Sequence, residues 1–269
     1  MLIPCGIDSF VFVIGPNEMR LRNTIHLAAL ELDVRCQFLV QQEPAGIGSA
    51  LALGREIAQS RFVVLMGDTW FHPSGLDEAI ERFSVADAAA FLSVRREDDL
   101  GIIESECSVS LDGDRVTAIV EKPNRDTLSD NIKACGVYMF SQEIFDAIDR
   151  TPVSPLRNEL ELTNAISGLA GSGEQVLAAF TMKNDVNIST PEDLLRANMF
   201  EIERLGVPNV IGKDVVLGEG ARIENSVIGD SCRIEGGVSI TGSVLFPNST
   251  VNIGASLTGQ LVGPSSSEE

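Results

Sequence analysis

Few residues in this chain are suited to chemistry on a charged substrate. Of its 20 basic residues 16 are arginines, and the four lysines stand at positions 122, 133, 183 and 213. Lys122 lies between Glu121 and Pro123, so an acid, a cation and a rigid turn close one apolar run. A lysine there can serve as a point charge on a phosphate, although Glu-Lys-Pro alone equally describes a solvated strand edge. Asp68 follows the apolar run 61–66 and Gly67, the position at which open α/β sheets place ligand sites. It can cap its loop, or it can hold Mg²⁺, which takes one or two carboxylates together with substrate phosphates. Gln41 opens the stretch Gln41-Gln42-Glu43-Pro44-Ala45-Gly46-Ile47-Gly48. A glutamine amide can read a nucleobase edge, and a glycine lets the backbone approach the base closely. The same stretch also reads as an ordinary capped strand-to-helix loop.

The elements that must position these residues are alternating strands and helices. Apolar patterning predicts strands at 9–15, 37–41, 61–66, 88–95 and 135–140, and helices at 19–32, 49–59, 76–83 and 142–148. This is the rhythm of an α/β sheet with crossover helices. Two polar-alternating segments, 102–106 and 116–121, predict an antiparallel excursion. Ser189-Thr190-Pro191-Glu192-Asp193 opens a last helix with a hydroxyl cap, a proline and acids in the first turn.

Beyond Val210 the period changes. Aliphatics recur at Ile211, Leu217 and Ile223, at Ile228, Ile234 and Ile240, and at Leu245, Val251 and Leu257. The spacing of six, six and five repeats three times, giving a 17-residue turn. Such a repeat resembles the hexapeptide, left-handed parallel β-helix, in which each short strand points one aliphatic into a prism and stacked coils bury them together. Val262 opens a fourth coil ahead of the polar run 265–269.

Composition narrows the function. A net charge of −19 argues against sequence-independent nucleic-acid binding, which needs clustered Lys or Arg. The longest apolar runs fall far short of the roughly 20 residues that span a bilayer, and residues 1–7 carry no signal-peptide pattern; the expected location is the cytoplasm. Five widely spaced cysteines without a C-x-x-C predict neither a disulfide framework nor a zinc site. His26 and His72 stand far apart, and a surface or packing role is expected of both.

Taken in order, Gln41-x-x-Pro44-x-Gly46, Gly67-Asp68, Leu100-Gly101-Ile102-Ile103, Glu121-Lys122-Pro123, Ala134-Cys135-Gly136-Val137-Tyr138, Glu159-Leu160-Glu161-Leu162-Thr163 and Thr190-Pro191-Glu192-Asp193 resemble the sugar-1-phosphate nucleotidylyltransferases, including the glucose-1-phosphate thymidylyltransferases. The resemblance implies that Gln41 and the Gly46 backbone read the base, that the Gly101 backbone and Glu121 bind the sugar, and that Lys122 grips the sugar phosphate. It assigns Asp68 and Asn187 to Mg²⁺, with Asp68 and Lys122 as the catalytic pair. The implied substrates are a nucleoside triphosphate and a sugar 1-phosphate, and the implied products a nucleotide sugar and pyrophosphate.

Two departures accompany the resemblance. The family opens with a strand and a G-G-x-G-T-R loop, whereas Met1 to Gly6 here corresponds to the end of the helix that follows them. Asn187 stands where the family has a second metal aspartate, with Asp185 nearby. The expected fold class is therefore α/β: a Rossmann-like nucleotidyltransferase domain with its first strand missing (1–205), then a short left-handed parallel β-helix (208–263) and a polar tail (264–269). A missing strand would leave unpaired edges, and a homo-oligomer, or a hetero-oligomer with a paralogue, would cover them. The alternative function is a non-catalytic nucleotide-sugar-binding or regulatory subunit. Acyl transfer by the β-helix is a poor reading, because no histidine follows His72 and the usual base is missing from every coil.

Overall fold

The computed structural model describes residues 1–264 except Ser129 and Leu156; the expected tail beyond Pro264 lies outside them. Two compact units emerge, one made of Met1–Met66 and Pro73–Asn184, the other of Gly67–His72 and the chain from Asp185 onward.

The first unit begins with β1 (Ser9–Ile14), α1 (Met19–Glu31) and β2 (Arg35–Val40), and the two strands pair in parallel with each other. Next come α2 (Ile47–Ala52), β3 (Arg61–Leu65), β4 (Thr69–Pro73), α3 (Leu76–Val85), β5 (Ala90–Arg96), α4 (Leu100–Ser105), β6 (Cys107–Asp112) and β7 (Arg115–Glu121). They are followed by β8 (Ile132–Ser141), α5 (Glu143–Arg150), α6 (Leu162–Gly171), β9 (Val176–Phe180) and β10 (Met182–Asn187); of these elements, residues 69–72 of β4 and 185–187 of β10 belong to the second unit. Six strands form one mixed sheet in the order β3-β8-β5-β9-β7-β6. One of its faces sends Leu92, Val94, Ala134, Tyr138 and Phe140 into a core shared with α5 and α6. In α5 the buried residues Ile144, Phe145, Ala147 and Ile148 recur at helical spacing and make one apolar stripe.

Two local expectations are corrected. Residues 102–106 are not a strand: 100–105 form α4, because the Asp99 carboxylate accepts the Gly101 N–H at 2.9 Å and caps a helical turn. The strand of the excursion is β6 instead, where Cys107 and Val109 are buried and Ser108 and Ser110 are not. The helix expected over 49–59 ends at Ala52, just before Gly54, and continues only as turns. Strands β4, β9 and β10 and helix α6 were not anticipated. β10, Met-Lys-Asn-Asp-Val-Asn, has too few apolar residues to show a period, and the small residues of α6 blur its stripe.

The second unit carries α7 (Pro191–Leu205), capped by the reciprocal bonds of Thr190 and Asp193 with Pro191 in the first turn. A three-faced parallel β-helix follows. One face stacks β11 (Asn209–Ile211), β14 (Ser226–Ile228), β17 (Val244–Leu245) and β20 (Leu261–Val262). A second stacks β12 (Val216–Leu217), β15 (Arg233–Ile234) and β18 (Thr250–Val251), and a third β13 (Arg222–Glu224), β16 (Ser239–Thr241) and β19 (Ser256–Thr258). Every pairing shifts by 17 residues: Ile211 lies over Ile228, Leu217 over Ile234 and Ile223 over Ile240. The corners obey the same period. Asp214, Ser231 and Asn248 all have positive φ, as do Gly220, Gly237 and Gly254, because a coil that turns within a few residues needs a left-handed residue at each corner.

Candidate functional site

In the first unit the loop after β2 is fastened to the segment before α6. Leu160 donates its N–H to the Ala45 carbonyl at 2.8 Å and accepts the Gly48 N–H at 2.9 Å. Gly46, with φ +94°, lies so close that a Cβ there would stand 2.7 Å from the Leu160 carbonyl oxygen. The close approach that makes glycine necessary is thus met by the protein's own backbone, without a base. Gln41 and Gly46 are brought together: the Gln41 amide donates to the Gly46 carbonyl at 3.3 Å.

Glu121 closes β7 and Lys122 follows it. Cys107 is the strand partner of Glu121, and the Lys122 N–H donates to the Glu106 carbonyl at 2.7 Å. Lys122 has φ +43° and an exposed side chain. Glu121 is partly buried, and that burial raises its carboxyl above the ordinary range against the opposing pull of the Arg157 guanidinium. Arg157 reaches Glu121 at 3.2 Å and Glu161 at 3.8 Å, so two carboxylates share one arginine beside the exposed lysine. Burial pushes the Cys107 thiol beneath them up to about 12, which makes it a packing residue and no nucleophile. The Gly101 N–H, expected to face the sugar, is taken by Asp99.

Asp68 and Asn187 belong to the second unit. Ile188 donates its N–H to the Asp68 carbonyl at 2.8 Å, so the two candidate ligands sit on neighbouring backbone positions. Trp70, two residues on, stacks on Phe200 of α7 and donates its indole N–H to Glu201 at 3.2 Å, which holds the Asp68 segment. Asp68 is exposed, while the Asn187 oxygen accepts from the Ser189 hydroxyl at 3.4 Å. Asp185, the suggested substitute ligand, is 5% exposed. Among the described residues no group of three or more His, Cys, Asp or Glu side chains is arranged to hold a metal. One carboxylate and one amide oxygen still form a hard donor set of the kind Mg²⁺ accepts when substrate phosphates complete its shell.

Sequence reasoning missed Arg157 and Glu106, and it named Glu161 only within a motif, without a role. Arg157 was legible in one respect, since it stands two residues ahead of the Glu159-Leu160-Glu161 motif. Glu106 carried no signal, because its partner Lys133 is 27 positions away. The two histidines remain apart in role: His26 lies 3.9 Å from the Cys36 sulfur and His72 packs edge-on to Trp70. A groove of about 540 Å³ runs between β7 and α6, lined by Arg115, Thr117, Ile166 and Ala170 among others. It contains none of the candidate site residues.

Residues 1–204 match the family described as nucleotidyl transferase. The chain belongs to that family. A low-salt glycan biosynthesis nucleotidyltransferase of Haloferax volcanii is 29% identical over 174 residues, which is 63% of this chain and 46% of the relative. A glucose-1-phosphate thymidylyltransferase of Streptomyces antibioticus is 30% identical over 203 residues, 71% of this chain and 55% of that one. A bifunctional protein GlmU of Methanocaldococcus jannaschii is 27% identical over 196 residues, 70% of this chain and 45% of the relative. The chain therefore spans about half the length of these relatives. In fold it is similar to a UDP-glucose pyrophosphorylase solved with UDP-glucose, with a TM-score of 0.64 at 19% identity, covering 75% of this chain and 83% of that one. No helix among the described residues is long and apolar enough to cross a membrane.

Proposed function

We propose that this nucleotidyl transferase acts on a sugar 1-phosphate and a nucleoside triphosphate. The observation that carries the reading is the end of β7, where exposed Lys122 stands next to the Glu121–Arg157–Glu161 cluster. Carboxylates accept from the hydroxyls of a sugar and cations suit its phosphate, so a cluster of mixed sign suits both. An oxygen of the sugar phosphate attacks the α-phosphorus of the triphosphate. The new P–O bond forms as the bond to the β-phosphate oxygen breaks, and pyrophosphate leaves with the electron pair. Lys122 neutralises charge on the sugar phosphate, Glu121 orients the sugar, and Gln41 with the Gly46 backbone reads the base. Mg²⁺, held by Asp68 and Asn187, would supply charge neutralisation on the triphosphate. The same reading assigns nucleotidyltransferase function to residues 1–205, places the protein in the cytoplasm, and makes it a homo-oligomer or a partner of a paralogue.

One observation favours a second reading. Asn187 brings no charge to the metal position, which suits a subunit that binds a nucleotide sugar without making it. Pyrophosphate release from glucose 1-phosphate with each common nucleoside triphosphate, with and without Mg²⁺, separates the two. Metal-dependent release supports transfer. Binding of a nucleotide sugar without release supports the second reading, and absence of both binding and release overturns the proposal.

A further inference from the structure

Two buried cations stand side by side in the large sheet of the first unit. Arg95 on β5 and Lys133 on β8 are direct partners in antiparallel register, and they are 8% and 0% exposed. Like charges at opposed positions repel, so burial of the pair requires a carboxylate for each. Both carboxylates come from one short segment. Glu97 accepts from the Arg95 guanidinium at 2.6 Å, and Glu106 pairs with the Lys133 ammonium. Residues 97–106, which contain α4, are therefore clamped at both ends by buried ion pairs.

A path of bonds leads from each end of the clamp to a candidate binding residue. At the start, the second Glu97 oxygen accepts the Asp99 N–H at 2.9 Å, and Asp99 accepts the Gly101 N–H at 2.9 Å. At the other end, the Glu106 carbonyl accepts the Lys122 N–H at 2.7 Å. Lys122 sits at φ +43°, a conformation that non-glycine residues keep only where their surroundings impose it. Glu106 itself has φ −117° and ψ −112°, outside both helix and strand, so the corner that holds Lys122 is irregular and depends on its anchors.

We infer that Lys133 is a positioning residue for sugar phosphate recognition, acting through Glu106 on Lys122, while Arg95 and Glu97 anchor the other end of the clamp. The inference rests on the reading of Lys122 as the cation that meets the phosphate. A purely structural ion pair behaves differently, because exchanging both charges for apolar side chains then leaves the molecule intact in stability and in binding.

The test is Lys133→Met/Glu106→Leu, which removes both charges of that ion pair together. Calorimetric titration with glucose 1-phosphate is expected to show Kd raised about tenfold, with no additional loss when Lys122→Ala is added to the double variant. Amide hydrogen exchange at Lys122 is expected to accelerate, while exchange in α5 and α6 stays as it was. An unchanged Kd together with unchanged Lys122 exchange overturns the inference. If the unaltered protein does not bind glucose 1-phosphate, the reading of the site fails, and the Lys122 exchange rate alone then decides whether the clamp positions it. Should that variant not fold, Lys133→Met/Glu106→Gln, which also removes both charges and keeps the shape of the Glu106 side chain, carries the same two readouts.

Discussion

Ile240 and Lys133 are both wholly buried, and the contrast between them separates the two units of the molecule. Ile240 lies between Ile223 and Leu257 in the coils on either side, so what holds it is its own sequence repeated 17 residues away. Lys133 is held by Glu106 and lies opposite Arg95, residues of different type on other elements. The β-helix is built by one rule applied again and again. The site loops of the first unit are built by single, unlike contacts: Gln41 to Gly46, Gly46 against Leu160, Arg157 to Glu121. A repeat spreads its stability over equivalent layers, whereas the loss of one unlike contact has no neighbour to compensate for it.

That contrast is open to attack, starting with the largest effect. Ile240→Ala in the middle coil should cost about 3 kcal/mol, read as a shift of the urea midpoint. Ile253→Ala, at a corner where the side chain is 76% exposed, should change stability by less than about 0.5 kcal/mol. Similar losses at both positions would mean that the prism interior is not the source of stability. Gly46→Ala comes next, at about 2 kcal/mol, because its φ of +94° and the Leu160 carbonyl 2.7 Å from the new Cβ both oppose the substitution. Limited proteolysis should show the cost locally, as cleavage in residues 41–48 ahead of global unfolding. Global loss without local cleavage would make this loop part of the core.

How much was legible follows from the same distinction. Ile228, Ile234 and Ile240 announced their stacking by spacing alone, since a parallel coil converts sequence period directly into register. A polar ladder was equally readable there and was passed over. Asn209, Ser226, Ser243 and Gln260 are spaced by 17, and each of the first three accepts the N–H of the next in the series. In the first unit, Lys122 stood out through scarcity and Asp68 through its place after a strand. Arg157 stayed hidden because its pairing with Glu121 spans 36 residues, and no period links an arginine in a loop to a carboxylate at a strand end. The α4 error had the same origin. Ile102 and Ile103 suit strand or helix alike, and Asp99, a single capping side chain, decided the matter.

Lys122→Ala tests the unlike-contact side of the comparison with a smaller effect. Its side chain is exposed, so stability should not change. The affinity for glucose 1-phosphate should fall about tenfold, near 1.4 kcal/mol, by calorimetric titration. A drop in melting temperature equal to that of Gly46→Ala would recast Lys122 as structural.

The smallest effect is also the most selective, and it concerns the sign of a pH dependence. Burial holds the Glu121 carboxyl above its ordinary value of 4.5 in the folded chain, despite Arg157. The folded state therefore binds the proton more tightly than the unfolded state. The stability Glu121 contributes is fully present below the unfolded value and is lost as pH rises through the folded one. Glu121→Gln has no proton to lose, so its melting temperature relative to the unaltered protein should rise between mild acid and neutrality. A depressed carboxyl, the outcome if Arg157 dominated over burial, would give the opposite slope. Glu201 of α7 is the control from the other unit, because the Arg204 guanidinium holds its carboxyl below 4.5. Glu201→Gln should lose melting temperature relative to the unaltered protein as pH rises out of the acid range, the opposite sign. A rise shared by both variants would show that net charge, rather than the buried end of β7, sets the response.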